Sequence, residues 1–316
     1  MTSFAACGLV VGHATDVVGA TGCTVVRGAD KPFRCAVHVV GRATGTREFA
    51  LLDPAHLVDR ADAIFLSGGS AYGIDAAGGV MQWMEEHGRG FPVGDGVVPI
   101  VPAAVIFDLA PLGSFKARPT AAMAYDACDC ATAEVVEGSV GAGTGATVGK
   151  VSGPTHAMKG GLGVGRASAG ALQVCALAVV NALGDVRDGS GSIIAGARID
   201  ASRWLDSAKH MAIGDASQLE FDSLAGRNTT LCVVATNADL SRLQLGGVAR
   251  AAAAALYRRI TPVATSFDGD IVFATSPIKN AMTATPAQVE ALAVLALERA
   301  IERAVRTHAP GDIFRG

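Results

Sequence analysis

A layered α/β fold is the architecture this sequence predicts, and three observations carry it. Short Val-rich apolar segments recur between glycines, and amphipathic helical patterns are interleaved with them. The composition also suits closely packed backbones, with 39 glycines in 316 residues and only 5% aromatics. Strands and helices mixed from end to end bury their apolar faces against one another in layers.

The elements follow in order. Residues 8–11, 23–26 and 35–40 are short β segments, and Ala63-Ile64-Phe65-Leu66 is an apolar strand ending in Ser67-Gly68-Gly69-Ser70. Ile74, Ala77, Met81 and Met84 recur at helical steps, with Gly88 as the stop. Residues 98–109 form another strand-like run, and 138–150 hold the densest glycine cluster, ending at Lys150. Residues 174–181 are a buried strand closing on Asn181, and 204–227 lack a strong period, as an exposed connection would. A strand over 231–236, an Ala-rich helix over 240–259 and a strand over 271–275 follow. The last helix is the best marked: Thr285 is its N-cap, Pro286 its first position, and Gln288 completes a capping box. Val294, Leu297, Ile301 and Val305 line one face of it, and Glu298, Arg299, Glu302 and Arg303 the other.

Composition excludes several classes of function. Hydrophobic residues make up 50% and charged residues 17%, below the roughly 25% of an average soluble protein. Disorder is therefore excluded. The 26 Lys and Arg against 29 Asp and Glu leave a net charge of −3, too near neutral to indicate a nucleic-acid or membrane-surface partner. The most apolar stretch, 169–183, is interrupted by Gln173 and Asn181 and is shorter than the ~20 residues of a membrane span. The first seven residues show no basic leader with an apolar block. A cytoplasmic location is expected, with the seven cysteines as reduced thiols. Cys128 and Cys130 are too closely spaced for a usual metal pair and lack a second pair, so neither metal nor cofactor is expected.

The glycine cluster fails the phosphate-loop test, since Thr144 stands where the first glycine belongs and Val151 follows Lys150. Its glycines rather permit close backbone approach and deliver Lys150 to a specific place. There is no G-x-S-x-G elbow and no H-E-x-x-H, and the seven histidines are dispersed. What remains is Asn228-Thr229-Thr230, placed between an irregular connector and a strand. A threonine there can attack the preceding carbonyl and release itself as a new N-terminus. Its α-amine, with an ordinary pKa of about 7.7–8.0, can then serve as general base. On spacing alone the same residues are also compatible with a plain turn.

The chain resembles the L-aminopeptidase/D-esterase (DmpA-type) family, which includes β-peptidyl aminopeptidases and nylon-oligomer hydrolases. The resemblance is carried by Val11-Gly12-His13-Ala14-Thr15-Asp16, Thr21-Gly22-Cys23-Thr24-Val25, Gly45-Thr46-Arg47-Glu48 and Leu52-Asp53-Pro54. It continues through Leu66–Gly73, Val101–Asp108, Gly141–Lys150, Met158–Gly163, Asn228-Thr229-Thr230, Ala235-Thr236-Asn237-Ala238 and Asp268-Gly269-Asp270, nearly the whole length. It implies a four-layer αββα sandwich of the type shared with ornithine acetyltransferases. It also implies one domain over 1–316, self-cleaved into 1–228 and 229–316, and a homo-oligomer of four or more subunits. Carried over, Thr229 is the nucleophile, Asn228 precedes the cut, and Asn181 presents its amide to the reacting carbonyl. Lys150 supplies positive charge, Asp268 and Asp270 position the nucleophile and its amine, and Ser67, Gly68, Gly69 and Ser70 flank the oxyanion. Phe107 stands where some members carry tyrosine, so a phenolic hydrogen bond to substrate or oxyanion is missing. The expected activity is that of an aminopeptidase-like hydrolase, which cuts an N-terminal residue or a small amide through an acyl-enzyme on Thr229. Acyl transfer to an amine, or an uncleaved scaffold without catalysis, are the alternatives.

Overall fold

The computed structural model describes residues 2–213, 227–278 and 281–307. In chain order its principal elements are β1 (Leu9–Asp16), β2 (Thr21–Gly28), β3 (Phe33–Val39), β4 (Thr46–Arg47), β5 (Ala63–Ser67), α1 (Ala77–Glu86), β6 (Ala103–Val105) and α2 (Ala121–Asp129). Then come β7 (Gly161–Ala169), β8 (Leu172–Asn181), α3 (Ser207–Ile213), β9 (Thr229–Thr236), α4 (Arg242–Ala252), α5 (Ala254–Arg259), β10 (Ile271–Pro277) and α6 (Pro286–Arg306). Two five-stranded sheets result, ordered β1-β2-β5-β6-β4 and β7-β8-β9-β10-β3. Each runs antiparallel, antiparallel, parallel, antiparallel.

Alternation along the strands makes the layers. In β8, Val174, Ala176, Ala178 and Val180 face a core shared with α4, α5 and α6, while Cys175, Leu177 and Val179 face the other sheet. Strand β9 splits likewise, with Cys232 and Val234 outward and Leu231, Val233 and Ala235 inward. Leu9, Val11, Val26, Ile64, Leu66 and Ile106 meet those inward residues from the first sheet. On that sheet's far side, Cys23, Val25 and Phe65 pack on Val80, Trp83 and Met84 of α1 and on Ala124, Ala127 and Cys128 of α2. The order helix, sheet, sheet, helix is the expected αββα sandwich.

Four local expectations change, and one strand is new. Residues 98–109 supply only a three-residue ladder strand, because Pro99 and Pro102 have no N–H to donate. The helix over 240–259 is two helices meeting at Ala253. The connection over 204–227 contains α3, whose first residue, Ser207, donates its N–H and hydroxyl to the buried carboxylate of Asp185; residues 214–226 lie outside the described residues. Glu298 is buried rather than solvated, because Arg258 and Arg259 reach its carboxylate at 3.2 and 3.0 Å. Strand β7 had no expectation, since its Gly- and Ala-rich sequence carries little β signal.

That composition has a packing cause. A Cβ placed on Gly163 would lie 2.2 Å from the Ala300 carbonyl oxygen and 2.3 Å from the Ala304 nitrogen, so α6 sits on β7 with nothing between. Gly163→Ala is expected to lower stability by at least about 1–3 kcal/mol, because backbone rather than a flexible side chain must move. Gly246 of α4 has no atom within 4 Å of its missing Cβ. Gly246→Ala should therefore gain about 0.5–1 kcal/mol from helix propensity alone. Thermal melts of both variants against the parent protein check the pair.

Candidate active site

Strands β8 and β9 end together. Their register pairs Asn181 directly with Thr229. Both follow the odd-numbered, inward alternation of their strands, so both side chains enter the space between the sheets, where apolar packing gives way to polar groups. Asn181 and Thr229 are buried, as are Asn228, Asp268 and Asp270.

Every polar atom of the Asn181 side chain is used. Its Oδ1 accepts from the Thr147 N–H at 3.0 Å and from Lys150 Nζ at 3.0 Å. With those donors on the oxygen, Nδ2 must be the other terminus, and it donates to the Phe107 and Arg227 carbonyls, both at 3.1 Å. Lys150 spends its three hydrogens on Asn181 O at 2.9 Å, Asn181 Oδ1 at 3.0 Å and the Arg227 carbonyl at 2.9 Å. It is delivered there by Gly149, whose φ of +69° suits glycine and whose missing Cβ would lie 2.0 Å from the Ala197 nitrogen. Burial pushes the Lys150 ammonium down to about 7, against the opposing pull of Asp268 and Asp270.

The Asn228–Thr229 peptide sits among these groups. Thr229 Oγ1 donates to the Asn228 carbonyl oxygen at 2.6 Å, and the Gly269 N–H reaches the same oxygen at 2.8 Å. Asp270 Oδ1 accepts from the Thr230 N–H at 2.6 Å, and Asp268 Oδ2 accepts from the Thr265 N–H and hydroxyl at 2.8 and 2.7 Å. Burial, then the neighbouring charge of Asp268, pushes Asp270 up to about 7; burial raises Asp268 as well. A lysine and two carboxylates thus share one low-dielectric pocket, each displaced toward its neutral form.

The structure brings together Lys150, Asn181, Asn228, Thr229, Asp268, Asp270 and, through its carbonyl rather than its ring, the expected Phe107. The Ser67–Ser70 turn stands one step back. The N–H groups of Gly68, Gly69 and Ser70 are engaged by Gly22 O, Asp108 Oδ1 and Ile106 O. Those bonds hold residues 106–108, and through them Phe107, against Asn181. Asp108, also bound by Thr21 at 2.7 Å, is buried and raised to about 6. Asn181, expected at the reacting carbonyl, here grips the carbonyl one residue upstream of it.

Two contributors escaped sequence reasoning. The Gly269 N–H is a backbone group and leaves no mark in residue identity. Gly41 belongs to a segment whose amides hold the acidic turn: Val40 and Gly41 donate to Asp270 O, and Arg42 and Ala43 to Asp268 O. A Cβ on Gly41 would lie 2.3 Å from Asp268 O and 2.4 Å from the Asp270 nitrogen. Its only sequence signal is a glycine just past the end of a strand.

Among the described residues no group of three or more His, Cys, Asp or Glu side chains is placed to hold a metal ion, and no helix is long and apolar enough to cross a membrane. A cleft of about 560 Å³ lined by Cys7, Lys31, Arg60 and Asn237 lies at the opposite end of β9, away from these residues.

The model of peptidase family S58 matches residues 6–309. An uncharacterized aminopeptidase of Mycobacterium tuberculosis (strain ATCC 25618 / H37Rv) is 42% identical over 284 residues, covering 89% of this chain and 79% of that protein. A 6-aminohexanoate-oligomer endohydrolase of Kocuria sp. (strain KY2) is 31% identical over 289 residues, covering 88% and 76%. The fold is shared with the L-aminopeptidase D-Ala-esterase/amidase of Ochrobactrum anthropi, at a TM-score of 0.69 and 20% identity over 94% of this chain and 83% of that one. It is shared too with a Burkholderia sp. beta-aminopeptidase, at a TM-score of 0.67 and 19% identity over 94% and 84%.

The raised carboxyl of Asp270 has a consequence for stability. Between its ordinary 3.8 and about 7 the folded chain keeps a proton that the unfolded chain has lost, so this contribution is present at low pH and disappears as pH rises through about 7. Asp270→Asn, which cannot ionise, should flatten the fall in stability between pH 5 and 7.5. Urea melts of both proteins at the two pH values read the difference, and parallel pH slopes would place the carboxyl at an ordinary value.

Proposed function

The chain belongs to peptidase family S58, and on that premise we propose that it is a self-processing hydrolase of peptide or amide bonds with Thr229 as nucleophile. The observation that carries this reading is the Thr229 hydroxyl 2.6 Å from the oxygen of the carbonyl that precedes it. Attack of Oγ1 on the Asn228 carbonyl carbon forms a C–O bond while the C–N bond breaks, and the hydroxyl proton passes to the departing amine. The Gly269 N–H, already on that oxygen, stabilises the negative charge that develops there. Water then splits the ester, leaving the Asn228 carboxylate, a restored Thr229 hydroxyl and a free Thr229 amine.

In turnover the same hydroxyl attacks a substrate amide and the free amine takes its proton. Lys150 and Asn181 donate to the carbonyl one residue upstream of the reacting one, and Thr147 and Phe107 orient the Asn181 amide, so together they hold the acyl side of the scissile bond in place. Asp268 and Asp270 lie where they can hold the new terminus. The Ser67–Ser70 turn supports Phe107 rather than donating to the oxyanion through its own N–H groups. The same reading makes the enzyme a cytoplasmic homo-oligomer, a state that sedimentation would test.

The purified protein is expected as two chains, 1–228 and 229–316, by intact mass. Thr229→Ala should stay a single inactive chain, and Thr229→Ser should still cleave, since serine keeps the hydroxyl. A single uncleaved species that hydrolyses amides would overturn the assignment. Lys150→Ala and Asn181→Ala should each lose ~10²–10³ in amidase rate with little change in melting temperature.

The pH dependence of turnover separates a donor Lys150 from a base. Three acceptors surround an amino group that has three hydrogens only when charged. Activity should rise with pH as the Thr229 amine loses its proton and fall again once Lys150, held below the ordinary lysine range by burial, becomes neutral. A rate that climbs steadily to pH 10 would make neutral Lys150 the active form.

A further inference from the structure

Two buried thiols meet behind the cleft at the far end of β9. Cys7 closes the short turn Ala5–Cys7 and forms part of the cleft wall. Its Sγ donates to the Ala235 carbonyl at 3.4 Å, and Ala235 is the residue paired with Cys175 across β8 and β9. Cys175 faces inward with Leu177 and Val179, and its Sγ donates at 3.4 Å to the carbonyl of Ser3, in the segment that leads into the turn. The two thiol side chains also hydrogen-bond to each other.

The other cysteines are placed differently. Cys23, Cys35, Cys128 and Cys232 are pushed up from the ordinary thiol range by burial. Cys130 is exposed, and its sulfur reaches the carbonyls of His13 and Ala127. Cys175 goes the opposite way: the hydrogen bond with Cys7 lowers it, against burial and with help from the Arg166 charge. That bond and burial raise Cys7, which therefore keeps its proton on the cleft side of the pair. The thiolate is the reactive form of cysteine, so Cys175 is the nucleophile and Cys7 its neighbour. Neither takes part in the chemistry proposed for Thr229, at the other end of β9.

We infer that Cys7 and Cys175 are a peroxide-reactive pair that closes into a disulfide, stapling the N-terminal turn to strand β8. The Cys175 thiolate attacks one oxygen of hydrogen peroxide, the O–O bond breaks, and the departing hydroxide regains the proton that Cys175 gave up, forming water. The Cys7 sulfur then attacks the Cys175 sulfenic acid. The S–S bond forms as the S–O bond breaks, and the hydroxyl leaves with the Cys7 proton as a second water. Two thiols are oxidised and one peroxide is reduced. A small-molecule thiol reverses the step by exchange. The cleft, at about 560 Å³, admits a molecule of that size.

The exposed Cys130 serves as internal reference for the test. Wild-type protein is treated with hydrogen peroxide until Cys130 is oxidised, the remaining thiols are alkylated in denaturant, and the digest is mapped by mass spectrometry. The Cys7 and Cys175 peptides should be joined, with Cys23, Cys35, Cys128 and Cys232 alkylated, and dithiothreitol should separate them. The joined form should melt roughly 5–10 °C above the reduced form, because the bridge closes a long loop of the unfolded chain. Cys7→Ser, which keeps a hydrogen-bond donor, should leave Cys175 carrying added oxygen and no bridge. Cys175→Ser should leave Cys7 unmodified. Alkylation of both Cys7 and Cys175 in protein whose Cys130 is oxidised overturns the pair, as does a bridge from either to another cysteine. A joined form that melts with the reduced one overturns the staple.

Discussion

The antiparallel register of β8 and β9 sets Asn181 across from Thr229, and everything at the site is arranged around that pair. Both strands are apolar on both faces until this point, because they are covered by helices on one side and by the second sheet on the other. The polar residues at their ends are consequently buried and must be satisfied from within the protein. Asn181 meets that demand through Thr147, Lys150, Phe107 and Arg227. A slip of one residue in the pairing would turn Thr229 toward the helices and dissolve the arrangement.

Charge is handled in the same confined space. Lys150, Asp268 and Asp270 cannot all remain fully ionised where water is excluded, and each shifts toward neutrality. Lys150 and Asp270, poised near neutral pH, exchange protons at little cost, which suits the proposed reaction, where a hydroxyl loses a proton and a leaving amine gains one. The acidic turn keeps its place through the 40–43 segment, which ties the far edge strand β3 to the chemistry. Its contribution is made by backbone amides.

What the residues disclosed and what they concealed divide along that line. The capping box at Thr285 and Gln288, the apolar stripes and the Asn228–Thr229 junction before a strand are side-chain patterns, visible in the sequence. The inward direction of Asn181 and Thr229 follows from strand alternation once the register is known, and the register is a tertiary fact. Strand β7 was hidden because its glycines answer to the helix above them rather than to strand propensity. Glu298 was misplaced because its partners, Arg258 and Arg259, come from another helix. The Gly269 amide and the engaged N–H groups of the Ser67–Ser70 turn were illegible for the same reason: hydrogen bonds of the backbone are fixed by geometry, not residue type.

The most direct test of the central claim is to trap the acyl-enzyme. A slowly released ester or amide is mixed with the protein, the reaction is stopped in acid within seconds, and the digest is mapped by mass spectrometry. The acyl group should be found on the peptide that begins with Thr229, attached to its side chain. An acyl group on Ser70 or on any other side chain, with an unmodified Thr229 peptide, would contradict the account.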